Sequence, residues 1–590
     1  GTTWSSIYNQ LTSQFYHMTT DNQFPYRVYA TQQDNSAISV PSQSHIGAIL
    51  WGDSYLVGSS ESGHIAVNPD NPNVVYSGAI GSTPGGGAPI LRYDHSTKQV
   101  RAVTVWPEGS GSWPPKEQKH RFSWSFPLSL SPHDSGVLYT AANIVFRSTD
   151  EGASWEPISP DLTRNDPTKQ ELSGGPITAE GGAIEMYCTI SAFAESPHEQ
   201  GVFWTGSDDG LVHISRDGGE SWQDVTPPDL PEWSFVRNIE PSPHEPGAAY
   251  IAATRHKLDD YRPFLYKTDD YGKTWRQIIG GLSSNTVTRV IREDTARRGL
   301  LYAGTETGVI VSLDNGDTWQ PLRAGLPVVP VHDMSVKGND LVAATHGRSF
   351  WILGDLPVLR QLDDTTLAAQ AHLFKPTPTY RLLRQLGLVS GTGAGKNFAA
   401  GIFGTGGTYV QKPATGERVF LDSGTNPPEG VSIVFHLTDA PKREVSLTFI
   451  DSGGEVVKTF STEDEGPDLY AGAGMNRFLW DMRYPDAEPP LQIGAPKKGV
   501  KSVPPPIAPL ATPGDYRVEL SVGGRSFSQP FEILQDPRSS ATTQDLEDQF
   551  DLLVSIRDRL SQARRAVRQI AGLRDQIEEW ERRAKDVADA

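Results

Sequence analysis

Two carboxylates raise the first question of chemistry. Glu180 and Glu185 fall in the segment 178–187, which is Gly-rich and polar where a plain strand would be apolar. Glycoside hydrolysis needs two carboxyl groups about 5–9.5 Å apart across a groove lined by aromatic rings, and this is the local pair that suits it. A salt bridge or a backbone cap is the plainer use of either residue. Glu61, Arg121, Trp124, Tyr187, Arg237 and His346 are the candidate ligand-binding residues. Asp34, Asp53, His64, Glu240, Arg289, Arg292, Glu293, His332 and Arg348 occupy comparable positions. The charged run 255–262 interrupts two strands and reads either as a self-satisfied surface network or as a partner-contacting loop. Cys188 is the only cysteine, which excludes a disulfide framework and a cysteine-based zinc site. His133, His198 and His244 recur at one place in a repeated phrase, so they read as turn residues, and no metal or cofactor is expected.

What must position these groups is a repeat. The pattern Ser/Thr-x-Asp-x-Gly-x-Ser/Thr-Trp occurs four times, with Asp150 and Trp155, Asp217 and Trp222, Asp270 and Trp275, and Asp314 and Trp319 as its fixed points. An aspartate can cap the backbone N–H groups of a hairpin turn, glycine supplies a positive φ, and the tryptophan packs between neighbouring sheets. These aspartates are therefore structural rather than catalytic. The opening Gly1-Thr2-Thr3-Trp4 reads as the tail of a fifth copy, cut through its middle, so the chain is expected to be a fragment or a processed product. A second phrase precedes each turn, as in Leu130-Ser131-Pro132-His133 and Pro241-Ser242-Pro243-His244. Each unit is a strand, a Pro-containing turn and three further strands, recurring every 45–65 residues or so, which is the signature of a propeller blade.

The expected fold is mainly β: a seven-bladed propeller (six to eight) over 1–357, with blades at 16–60, 62–107, 120–158, 181–226, 233–279, 285–323 and 329–355. The N-terminal segment is expected to supply the outer strand of the last blade. Residues 358–425 read as a linker packed on the propeller. Alternating apolar positions such as Val445, Leu447 and Phe449 predict an immunoglobulin-like β-sandwich over 426–536. From 537 to 590 the period becomes helical, giving one long helix or a hairpin breaking near Gly572, with an apolar stripe able to oligomerise.

Composition narrows the partners. A net charge of −19 argues against nucleic acid and anionic membrane, since a phosphate-binding surface needs clustered Lys and Arg. No apolar run is long enough for a membrane span. A glycan or a protein partner remains.

The turn repeats, the phrases Pro160-Asp161-Leu162 and Pro228-Asp229-Leu230, the stretch Thr345-His346-Gly347-Arg348-Ser349, and Asn476-Arg477-Phe478-Leu479-Trp480-Asp481-Met482-Arg483 carry a resemblance. They resemble bacterial Asp-box (BNR) tandem β-propeller proteins of the sortilin/xyloglucanase-like superfamily, often named glycosyl hydrolases. The resemblance spans nearly the whole chain. It implies an extracellular, periplasmic or cell-surface bacterial protein, with an upstream propeller, that binds glycans. If it is an enzyme, it is a glycoside hydrolase. In the xyloglucanases the active site lies between two propellers and uses two aspartates, neither of which can be placed here. The sialidase N-terminal arginine motif and the cysteine-rich module of sortilin are not visible. The alternative is a non-catalytic scaffold or subunit of a cell-surface assembly.

Overall fold

The computed structural model describes residues 12–45, 47–58, 61–78, 90–107, 113–174, 179–180, 186–382, 389–390, 395–400, 406–411, 418–421, 423–464, 469–491 and 508–588. The protein is mainly β, with many small sheets and few helices. It divides into two compact units, Gly1–Leu356 with Arg384–Pro427, and Pro357–Leu383 with Pro428–Ala590.

In the first unit, seven antiparallel sheets follow one another along the chain, six of four strands and the last of three. Each is a meander whose strands pair in sequence order. The first strands, Phe15–Thr20, Ile65–Val67, Leu128–Leu130, Ile190–Glu195, Phe235–Pro241, Thr288–Glu293 and Val331–Lys337, are neighbours in that order. The last of them lies against the first, so the series closes on itself as a β-propeller. Second strands such as Phe203–Ser207 and Leu301–Thr305 are buried along their whole length, because a sheet in the ring is covered on both faces. The sheets converge toward the axis, and small residues mark where. A Cβ on Gly206 would lie 2.3 Å from Val236 of the next sheet, so only glycine fits.

Four hairpin turns share one geometry. In the first, the Ser148 hydroxyl donates to Asp150, the Gly152 N–H donates to Ser148, and Ser154 donates both its N–H and its hydroxyl to Asp150. The Trp155 indole N–H then donates to the Val103 carbonyl of the preceding sheet, at 2.8 Å. Trp222, Trp275 and Trp319 repeat this on Ile158, Val225 and Ile278. The glycine of each turn has positive φ, between 79° and 98°, and its missing Cβ leaves room for that same residue of the preceding sheet. One turn thus fixes its own hairpin and ties it to the sheet before it. The histidines of the Ser-Pro-His phrases act similarly: His133 bonds the Ser196 carbonyl at 2.8 Å and His244 the Asp294 carbonyl at 2.7 Å.

The ends of the ring meet through Gln14, which bridges to His346, through Phe15, whose ring stacks on Phe350 at 3.9 Å, and through the Met18 N–H, which donates to Asp333 at 3.0 Å. The outer strand expected from the N-terminal segment falls within residues 1–11, outside the described residues. The stretch 358–425, expected as a linker, is described in part. It holds two short helices, Leu356–Gln361 and Asp364–Ala368, the strands Ala371–Leu373 and Thr379–Arg381, and a four-stranded sheet running from Val389–Ser390 to Arg418–Phe420. Glycines spaced through this stretch conceal the alternation that marks a strand.

The second unit packs a three-stranded sheet against a five-stranded one around Val431, Phe435, Leu447, Phe449, Trp480 and Val518. One continuous helix, Thr543–Ala588, follows. Ser561 and Arg564 on it bond the backbone of Glu488, and Phe550 packs on Tyr484 at 4.8 Å. No described helix is long and apolar enough to cross a membrane.

Candidate functional site

The seven first strands line an axial channel of about 600 Å³. Because side chains alternate along a strand, every other residue of each first strand can face the axis. An ion network lies in the channel wall. Arg292 donates to Glu240, to Asp333 and to the Met334 carbonyl, each at 2.7 Å. Asp333 also accepts from the Met18 N–H and lies 3.4 Å from His17, whose ring stacks on His64 at 3.5 Å. Burial alone would raise the Asp333 carboxyl, but Arg292 and His17 outweigh it and hold the group well below the usual carboxylate range. Burial pushes both histidines down, so they are neutral near pH 7.

The end where the first strands begin, termed the mouth, shares only Arg237 and His332 with the lining of that cavity. Tyr16 is its centre: its hydroxyl donates to Gln33 at 2.5 Å, and Trp124 lies beside it. Burial raises the Tyr16 phenol, and Glu61 and Asp34 add to that rise while Arg237 opposes it. Glu61 is buried and accepts from the Asp34 N–H at 3.0 Å and from Gln33 at 3.4 Å. His332 stacks on His346 at 4.2 Å, and Tyr16 meets His346 at 5.1 Å. Arg289 is held by Glu306. The loop after Ala249–Arg255 contributes His256 and Lys257. Burial lowers both, and Arg289 and Arg237 lower them further.

Four of the six expected ligand-binding residues, Glu61, Trp124, Arg237 and His346, therefore gather around Tyr16. Two do not. Arg121 is a tie between sheets, donating to Asp161 at 2.7 Å and to the Cys188 carbonyl at 3.2 Å. Tyr187 stacks on Trp233 at 5.5 Å, a ring that also carries Arg164 and Lys169. Of the expected catalytic pair, Glu185 lies outside the described residues. Glu180 sits in the short strand Ala179–Glu180 paired with Ser173–Gly174, and its side chain is outside them too. The loop 255–262 is partly self-satisfied, with Arg262 on Asp260 at 2.7 Å and Arg255 on Asp260 at 3.6 Å.

Sequence reasoning missed Asp208 and Asp209. They form the turn after Phe203–Ser207 and are almost wholly buried. Asp208 accepts from the Thr189 N–H and hydroxyl at 2.9 and 2.6 Å. Burial first and Asp209 second push its carboxyl up to about 7, so it is partly protonated near neutral pH. Adjacent acids flanked by serine and glycine were the available signal. No group of histidine, cysteine and acidic side chains among the described residues is arranged to hold a metal.

No family model matches the chain. A probable oligoxyloglucan-reducing end-specific xyloglucanase of Neosartorya fischeri is 23% identical over 291 residues, covering 43% of this chain and 32% of that protein. The chain thus spans about a third of that relative's length. Among solved structures, a GH74 xyloglucanase from Xanthomonas campestris superposes with a TM-score of 0.44 at 15% identity, over 91% of this chain and 97% of the other. YCF48 from Cyanidioschyzon merolae gives a TM-score of 0.38 at 9% identity, over 58% of this chain and 96% of the other.

Proposed function

We propose that the chain is a seven-bladed Asp-box propeller of the sortilin/xyloglucanase-like superfamily, carrying an immunoglobulin-like sandwich and a C-terminal helix, and that it binds glycans outside the bacterial cytoplasm. Its binding surface is the channel mouth. The observation that carries this reading is the gathering of Trp124, Tyr16, Glu61, Arg237 and His346 at one end of the channel, in a ring whose other contacts are repeated from sheet to sheet. Aromatic faces beside buried polar groups suit a sugar ring. The xyloglucanase relative supports the same class of ligand. For the sandwich, Tyr516 supports the reading: its hydroxyl donates to the Thr512 carbonyl at 2.8 Å, the corner contact of immunoglobulin-like domains. Hydrolysis, where it occurs, falls to Glu180 and Glu185.

A glycan array together with a hydrolysis screen on neutral β-glucans tests this, using the native chain, Trp124→Phe, Glu180→Gln and Glu185→Gln. Binding weakened several-fold in Trp124→Phe supports the mouth as the site. Hydrolysis that persists in both glutamine variants removes the catalytic assignment, and an array with no bound glycan removes the function.

One observation favours the second reading, a scaffold that assembles with partners or with itself. On the helix Thr543–Ala588, Val567, Ile570, Leu573, Ile577 and Trp580 are all exposed, between 46% and 68%. An isolated helix with such a stripe gains stability by pairing. Sedimentation of the native chain against Ile570→Glu separates a self-assembled form from a monomer.

A further inference from the structure

The arginines of the channel divide by what they touch. Arg292 has three acceptors at 2.7 Å, and Arg289 is held by Glu306. Arg237 lines the same channel, with its guanidinium 5.0 Å from the Phe235 ring, yet no hydrogen bond or ion pair among the described residues engages it. A guanidinium carries five N–H donors in a planar fork, and Arg237 is only half-buried, so those donors can be reached by a ligand. His332 repeats the pattern. It is 8% exposed, it lines the channel, and its Nδ1 has no partner. The Nε2 of His64, also on the channel wall, is likewise unpartnered.

The groups facing Arg237 explain why it stays unpaired. Glu306 is taken by Arg289, Asp333 by Arg292 and His17, and Glu61 by the Asp34 backbone. Burial, with Arg289 next in effect, pulls the Arg237 guanidinium down to about 9. A negative charge brought by a ligand would relieve that environment.

We propose that the mouth receives a carboxylate-bearing sugar, a uronic acid residue of an acidic glycan, with its carboxylate on the fork of Arg237 and its ring against Trp124 and Tyr16. This rests on the glycan reading above and deepens it. A planar carboxylate matches the fork with two parallel hydrogen bonds, and His332 Nδ1 is an additional polar group on the same wall.

The test is calorimetric titration of the full chain with a trigalacturonate, with its methyl ester, and with a short peptide bearing a free C-terminal carboxylate. The native chain is expected to bind the acid about tenfold more tightly than the ester, the size of one charge-assisted pair. In Arg237→Gln the preference is expected to fall to within about twofold, with thermal unfolding no lower than native. Arg237→Lys keeps the charge without the fork and is expected to fall between. Equal binding of acid and ester by the native chain overturns the uronate proposal and leaves the glycan reading standing. Binding of neither sugar overturns the uronate proposal, while the glycan reading falls only if the array also shows no bound glycan. A peptide bound as tightly as the uronate overturns the sugar as the source of the carboxylate.

Discussion

The turn repeat and the channel mouth use the same residue types to opposite ends. In the turns, Asp150, Asp217, Asp270 and Asp314 each accept from a hydroxyl and a backbone N–H of the same hairpin, and each tryptophan N–H finds a carbonyl one sheet back. In the mouth, Arg237 and His332 occur once each, and the buried Nδ1 of His332 has no partner. Repetition with every polar group satisfied is what a ring needs to close. A polar group used once and left unsatisfied costs stability, and a ligand can recover that cost.

The contrast is most sharply broken at the ion network in the channel wall. Arg292→Met leaves Asp333 and Glu240 buried without their cation, and a loss of about 3–5 kcal/mol is expected in urea unfolding. A loss under about 1 kcal/mol would mean that water screens the network and that the network and the mouth do not differ. Next is the turn glycine. In Gly152→Ala the new Cβ would sit 2.7 Å from Val103 at a φ of 79°, and about 1–3 kcal/mol is expected from crowding and strain together. Trp155→Phe, which removes one indole N–H from a satisfied pair, is expected to cost about 1 kcal/mol for the lost bond. An equal loss in the two variants would show that packing between sheets, not backbone geometry, sets the turn.

What the sequence makes legible follows the range of each interaction. The turn repeats are eight-residue units, so Asp150 and Trp155 declare their geometry locally. Glu61, Trp124, Arg237 and His346 were recognisable as strand-end polar residues in blades whose other positions repeat. Asp333 was not singled out, because its importance comes from ring closure: the Met18 N–H that it receives is 315 residues away in sequence. Arg121 looked like a ligand group because nothing local pairs with it, and its partners Asp161 and Cys188 come from later in the chain. Asp208 was invisible for a different reason. Its raised pKa arises from burial between sheets and from Asp209 next to it, and only the first of these is absent from the sequence.

The smallest effect sharpens the comparison through pH. His64 and His332 are pushed well below 6.5, by burial first and by neighbouring cationic or imidazole groups second. Below about pH 6.5 the unfolded chain binds protons that the folded chain refuses, so these residues lower stability as pH falls. Asp208 works the other way. Its carboxyl titrates near 7 when folded and at the ordinary 3.8 when unfolded, so its cost is full above pH 7 and is relieved as pH falls toward 4. The urea midpoint of the native chain between pH 8 and 5 is the sum of these opposing slopes. Asp208→Asn removes the relief, and the midpoint is expected to fall more steeply with acid. His332→Gln removes one of the losses, and the slope is expected to flatten. Identical slopes in all three proteins would place these groups in water, and the mouth would then lack the desolvated character that sets it apart from the turns.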